Sequence, residues 1–271
     1  MKKLIIGLSF GLVIVACNRN AITGRKQFTL YNEADITTMA AGEYRSFLSA
    51  NPVVTDATNK DAEMVRRVGR RISAAIKEYY ANNPTVTAEL NGYQWEYNLV
   101  NSKDVNAWCM PGGKIVVYTG LLSVTKDEPS LAVVMGHEIM HALGHHGNER
   151  MSKGMLQQLG GVALDVALSN KRDETRAIFN QAYGAGTQVG IMLPFARKHE
   201  LEADRFGLIF AAMAGYNPQV AIGLWQRMAA LSANSQKPPE FLSTHPVEER
   251  RIAELQKIMP QALAVYKPVR N

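Results

Sequence analysis

An α+β fold, mostly helical with one small sheet, follows from three features of this 271-residue chain. From Pro129 onward apolar residues recur at helical spacing, two short upstream segments read as strands, and no Pro/Ser/Gly-rich linker divides the chain into domains. Residues 18 to 32, with Thr23-Gly24-Arg25, read as an extended lead-in, and a helix is expected from about Glu33 to Leu48. Met64, Val68, Ile72, Ala75 and Ile76 then mark the apolar face of a second helix, which Asn82-Asn83-Pro84 should stop. Tyr93 to Val100 alternates and is rich in aromatic and β-branched residues, and Lys114 to Tyr118 follows a Pro-Gly-Gly turn. Both are expected strands of one sheet. Asp127, Glu128 and Pro129 start a helix whose apolar pattern, Leu131, Val134, Met135, Ile139 and Leu143, carries it through His145. Further helices are expected over Met151 to Ser169, Asp173 to Gly190, Lys198 to Ala214, Pro218 to Ser232 and Pro246 to Met259. Residues 261 to 271 read as a tail.

Composition excludes several classes. With 46% hydrophobic and 20% charged residues the chain has globular composition. Its net charge of +6 comes from Lys and Arg scattered among Asp and Glu, with no nucleic-acid-binding motif, so no nucleic-acid partner is expected. Lys2 and Lys3 precede an apolar run from Leu4 to Ala16, shorter than the roughly 17 to 25 residues of a spanning helix and suited to a secretory signal. Ile14-Val15-Ala16-Cys17 resembles the bacterial lipobox, so residues 1 to 16 read as a lipoprotein signal peptide and Cys17 as a lipidated N-terminus. Cys109 would then lack an intrachain partner and serve as a small core residue.

The chemistry sits in His137-Glu138-Ile139-Met140-His141. Four residues of α-helix advance about 400°, so the two imidazoles share a face about 6 Å apart along the axis and can grip one metal ion. Glu138 is placed as the general base for an attacking water. Zinc needs a third protein ligand. A metzincin continuation fails because Gly147 stands where a third histidine belongs, although Gly144 fits. His145 and His146 are poor ligands, since consecutive turns of one straight helix cannot surround an ion, and suit packing or support of a ligand. Glu200 and Asp204, four apart, share a face and can supply one carboxylate to the metal and one to a ligand histidine.

These motifs, with Glu200-x-Glu202-Ala203-Asp204-Arg205-x-Gly207, Ser243-Thr244-His245-Pro246 and Arg251, resemble the gluzincin metallopeptidases of the HtpX, LoiP and BepA type. The likeness extends over most of residues 21 to 257 and includes Thr23-Gly24-Arg25, Asn106-Ala107, Pro111-Gly112-Gly113 and Ile115-Val116-Val117-Tyr118. It implies a zincin-type metallopeptidase domain over residues 33 to 260, whose edge strand faces the active-site cleft. It implies one Zn²⁺ per chain on His137, His141 and Glu200, with Asp204 supporting a ligand histidine. It also implies Lys114 to Tyr118 as the edge strand, where Val116 and Val117 bind substrate backbone with Asn106 and Ala107 beside the scissile bond; a buried core strand is the alternative reading of the same segment. His245 corresponds to a family histidine near the metal, either a catalytic helper or a plug of the fourth position, and a plain helix-start role is the third reading. The chain lacks the membrane helices of the HtpX type and the repeats of the BepA type, and so most resembles the compact, lipid-anchored LoiP type.

The expected protein is a zinc metalloendopeptidase that is extracytoplasmic and lipid-anchored at the periplasmic face of a Gram-negative outer membrane. Its expected partners are unfolded or misassembled envelope proteins. The alternative is a chaperone-like or assembly lipoprotein with a structural or plugged zinc site.

Overall fold

The computed structural model describes residues 17–159, 172–183, 196–233, 239–246 and 249–268. The signal segment and the apolar Gly160 to Leu164 run lie outside the described residues. The lead-in is a hairpin, β1 (Cys17–Arg19) pairing antiparallel with β2 (Lys26–Phe28). Its turn is held by Asn20, whose Oδ1 accepts from the backbone N–H groups of Ile22 and Thr23. Asn20 Nδ2 donates to the Leu143 carbonyl at 2.7 Å and Gln27 Nε2 to that of Gly144. The hairpin thereby satisfies carbonyls at the end of the long central helix, which have no partner within that helix.

Three asparagines start the first three helices, each accepting a backbone N–H in its own first turn. Asn32 caps α1 (Glu33–Ala50) and Asn59 caps α2 (Lys60–Tyr79). The expected stripe of α2 is present with its centre shifted: Val65, Val68, Ile72 and Ile76 are fully buried, while Met64 and Ala75 flank them. Asn82-Asn83-Pro84 ends α2 as expected but also starts α3 (Pro84–Asn91), because Asn83 caps and Pro84 occupies the first turn, where its missing N–H costs nothing.

The sheet contains β3 (Glu96–Val100), β4 (Ala107–Met110) and β5 (Lys114–Tyr118) in the order β3-β5-β4. β5 runs parallel to β3 and antiparallel to β4. This corrects the expected edge. Lys114 to Tyr118 is the central strand, Val116 and Val117 are fully buried between two neighbours, and their backbone is not open to a substrate. The cleft-side edge is β4. Gly112 and Gly113, at φ +79° and +83°, turn the chain from β4 into β5, a left-handed backbone that favours glycine.

After the short α4 (Thr119–Thr125), Asp127 caps α5 (Glu128–Leu143), accepting from Ser130 N–H, with Pro129 in its first turn. Every residue of α5 from Ser130 to Leu143 is buried. The helix stops at Leu143 instead of His145, because Gly144 caps it and His145 turns left-handed at φ +52°. That turn lets α6 (His146–Leu159) start five residues before the expected Met151. The remaining helices are α7 (Arg172–Tyr183), α8 (Arg197–Met213), α9 (Val220–Ala233), α10 (Glu240–Thr244) and α11 (Glu249–Val265). α11 passes through Pro260, and Ala262 is fully buried, so the expected tail boundary at residue 260 falls inside a packed helix. Among the described residues no helix is long and apolar enough to cross a membrane.

Helices α5 and α8 meet backbone to backbone at Gly136 and Gly207. A Cβ on Gly207 would lie 2.6 Å from the His137 nitrogen, and one on Gly136 would lie 2.4 Å from the Gly207 carbonyl oxygen. This approach sets the HExxH helix against the helix carrying Glu200 and Asp204.

Candidate metal centre

His137 and His141 project from one face of α5, their Nε2 atoms 3.0 Å apart. Glu200, in the first turn of α8, brings Oε1 to 3.3 Å from His141 Nε2 and Oε2 to 3.7 Å from His137 Nε2. His245 follows the last residue of α10 and is fixed there by its N–H donating to the Phe241 carbonyl. Its Nδ1 lies 3.0 Å from Glu200 Oε1 and 3.3 Å from His137 Nε2. One donor atom from each of these four buried side chains lies within 4.8 Å of the others, a group able to hold a metal ion.

The surroundings fit a cation. His137 Nδ1 lies 3.0 Å from Asp204 Oδ1, and a carboxylate only accepts, so Nδ1 carries the proton and Nε2 presents a lone pair to the centre. A second imidazole and a carboxylate oxygen face that lone pair, and such a concentration of lone pairs in a buried space is what a divalent ion neutralises. Asp204 is gripped by Arg251 through Nη2 and Nε at 2.7 and 2.8 Å, while Arg251 Nη1 lies 2.9 Å from Glu200 Oε2. Burial would raise both carboxyls. For Glu200, His245 and Arg251 outweigh it and hold the group well below its ordinary value; for Asp204, Arg251 does so. The guanidinium stacks 4.0 Å over Trp225, the ring that also packs against His137.

Glu138 stands beside this group. Its Oε1 is buried, lacks a hydrogen-bond partner among the described residues and lies 3.6 Å from His245 Nε2. Burial pushes its carboxyl above the ordinary glutamate value. Asn106, Ala107 and Cys109 line the same cleft as Glu138 and His141 and bring the edge strand β4 to it. Cys109 is buried there with a free thiol. Arg150, from α6, lines the cleft too, and burial lowers its guanidinium to about 10.

The structure thus brings His137, Glu138, His141, Glu200, Asp204, His245, Asn106 and Ala107 together and leaves Val116 and Val117 in the sheet interior. Arg150 and the grip of Arg251 were not anticipated. Arg251 shares the face of α11 that carries Leu255 and Ala262, and a charge on an apolar stripe is the signal that would have marked it. His145 turns away to Glu89 at 2.9 Å, and His146 Nδ1 lies 3.0 Å from His141 Nδ1, supporting that imidazole instead of competing with it.

Comparison with known proteins agrees with this geometry. Residues 67–259, more than half the chain, match peptidase family M48. The chain belongs to peptidase family M48. The members of M48 use zinc, and the four-residue group on α5, α8 and the end of α10 suits that ion. The M48 chain is 35% identical over 185 residues to mitochondrial metalloendopeptidase OMA1 of Arabidopsis thaliana, covering 68% of this chain and 36% of the relative. It is 30% identical over 278 residues to the human mitochondrial metalloendopeptidase OMA1, covering 97% and 51% respectively. It is 29% identical over 165 residues to the β-barrel assembly-enhancing protease of Escherichia coli, covering 59% and 33%. The chain therefore spans between a third and about half the length of these relatives.

Proposed function

We propose that this chain is a zinc metalloendopeptidase tethered to a bacterial membrane by lipid on Cys17, cleaving unfolded or misassembled envelope proteins. The observation that carries the reading is the meeting of His137, His141 and Glu200 next to Glu138, whose Oε1 has no hydrogen-bond partner among the described residues, beside the edge strand β4. Zinc held by His137, His141 and Glu200 would polarise a water and the scissile carbonyl, bringing the water's pKa toward about 7. Glu138 accepts the water's proton and returns it to the leaving amine. An extended substrate pairs with β4 beside Asn106 and Ala107, which favours unfolded chains because a folded protein seldom offers a free strand. The name of the Escherichia coli relative, a β-barrel assembly-enhancing protease, favours misassembled β-barrel proteins among the substrates, while relatives matched over more of this chain are named mitochondrial. The lipobox-like Ile14-Val15-Ala16-Cys17 supports the tether. Cys17→Ser in the full chain is expected to abolish labelling by radioactive palmitate and move the protein from the membrane pellet to the soluble fraction; unchanged pelleting would reject the tether.

A second feature of the reading is a closed resting state. His245 Nδ1 approaches the same point as the three ligands, and closed zinc sites carry four protein donors. His245→Ala is then expected to cleave denatured casein severalfold faster than the wild type at equal zinc occupancy. A loss of activity would favour His245 as a catalytic helper instead.

A further inference from the structure

The mechanism leaves Thr23-Gly24-Arg25 without a role, yet Arg25 reaches across the fold to a buried charged network. Its Nη1 and Nη2 donate to both oxygens of Glu149 on α6, at 2.9 and 2.7 Å, and its Nε donates to both oxygens of Glu202 on α8, at 3.1 and 2.9 Å. Glu202 Oε2 lies 2.9 Å from His146 Nε2, and His146 Nδ1 lies 3.0 Å from His141 Nδ1. His199 closes the ring: its Nε2 lies 2.7 Å from Glu149, and its imidazole stacks on that of His146 at 4.4 Å. His146 is fully buried. The network is not a second metal site, because its two imidazoles lie face to face and the Arg25 guanidinium already occupies the space between its carboxylates.

The proton inventory gives the ring a direction. Glu202 can only accept, so His146 Nε2 donates; a neutral imidazole has one N–H, so His146 Nδ1 accepts from His141 Nδ1–H. His141 Nε2 is thereby left with its lone pair toward the centre, the tautomer a zinc ligand requires. Asp204 does the same for His137. We infer that Arg25 and His146 are positioning residues for the metal ligand His141, with Glu202 between them, so that the N-terminal hairpin that begins at Cys17 is a structural part of the metal site. This rests on the ligand set proposed above. The guanidinium matters as a planar fork that holds carboxylates from two helices at once, a geometry a lysine cannot reproduce.

The test measures zinc affinity of the full chain by competition with a chromophoric chelator, alongside the thermal midpoint of the metal-free protein. Removing such supporting partners typically weakens metal binding about 10- to 100-fold. His146→Leu is expected in that range and Arg25→Gln near its lower end, with the double variant no weaker than His146→Leu because both act through one path. Arg25→Lys is expected to restore less than half of the Arg25→Gln loss. Arg25 is part-exposed, so its variants remain informative if His146→Leu fails to fold. Unchanged zinc affinity in Arg25→Gln, including the case in which only the thermal midpoint falls, would overturn the inference, as would full additivity in the double variant. His141→Ala separates the two levels: if it too binds zinc like the wild type, the ligand assignment itself is wrong.

Discussion

Glu138→Gln is expected to lower kcat/KM for denatured casein by about 10²- to 10⁴-fold while leaving zinc binding unchanged. Glutamine keeps the size of the side chain but cannot take a proton, and general-base catalysis by a positioned carboxylate contributes a factor of about that size. The geometry makes Glu138 the group to lose. It lies next to the His137–His141 pair on α5, its Oε1 faces the cleft without a hydrogen-bond partner among the described residues, and burial raises its proton affinity. It is not in the group of four that could hold the ion, so occupancy should not change. Equal cleavage rates in a contaminant-free preparation, with metal content measured in parallel, would remove Glu138 from the mechanism.

Gly207→Ala is expected to destabilise the protein by about 2–3 kcal/mol and to weaken zinc binding, because overpacking against rigid neighbours costs about 1–3 kcal/mol or more. The added Cβ would meet backbone atoms of Gly136 and His137 at 2.6 to 2.7 Å, and backbone at that distance cannot rotate aside. The helices must separate, and with them His137 and Glu200. Gly42→Ala, in the middle of α1 with nothing within 4 Å of the new Cβ, is the control and should stabilise by about 0.5–1 kcal/mol. Urea midpoints of the two variants with and without zinc decide it; a Gly207→Ala protein as stable as Gly42→Ala would refute the close-approach argument.

What could be read from the sequence follows physical range. α5 was legible because its cap, its proline and its HExxH spacing all lie within one segment. That Glu200 joins the two histidines and that Asp204 supports one of them is legible only through two spacings of four residues and the resemblance to a family; that the supported imidazole is His137, 67 residues from Asp204, is shown by the structure alone. β4 was missed because four wholly buried residues, Ala-Trp-Cys-Met, show neither alternation nor a β-branched run. For Lys114 to Tyr118 the core-strand alternative is the one the structure shows, and its own residues carry the signal. An unbroken Ile-Val-Val run belongs to a strand covered on both faces, as central strands are. α3 is hard to read from sequence because Asn82-Asn83-Pro84 both ends α2 and, through the Asn83 cap and Pro84 in the first turn, starts the next helix. The Arg25 network was invisible because Arg25 lies 124 and 177 residues from the carboxylates it joins.

We propose that one zinc ion held by the HExxH helix and Glu200 makes this chain a peptidase. The most direct measurement strips the metal with a chelator, returns zinc in steps and follows cleavage of denatured casein by the full chain and by His141→Ala. The expected result is cleavage that is absent without metal, rises with added zinc, saturates at one equivalent per chain and never appears in His141→Ala. Cleavage at full rate without metal, or one bound equivalent in both the wild type and His245→Ala with no cleavage by either, would contradict the account.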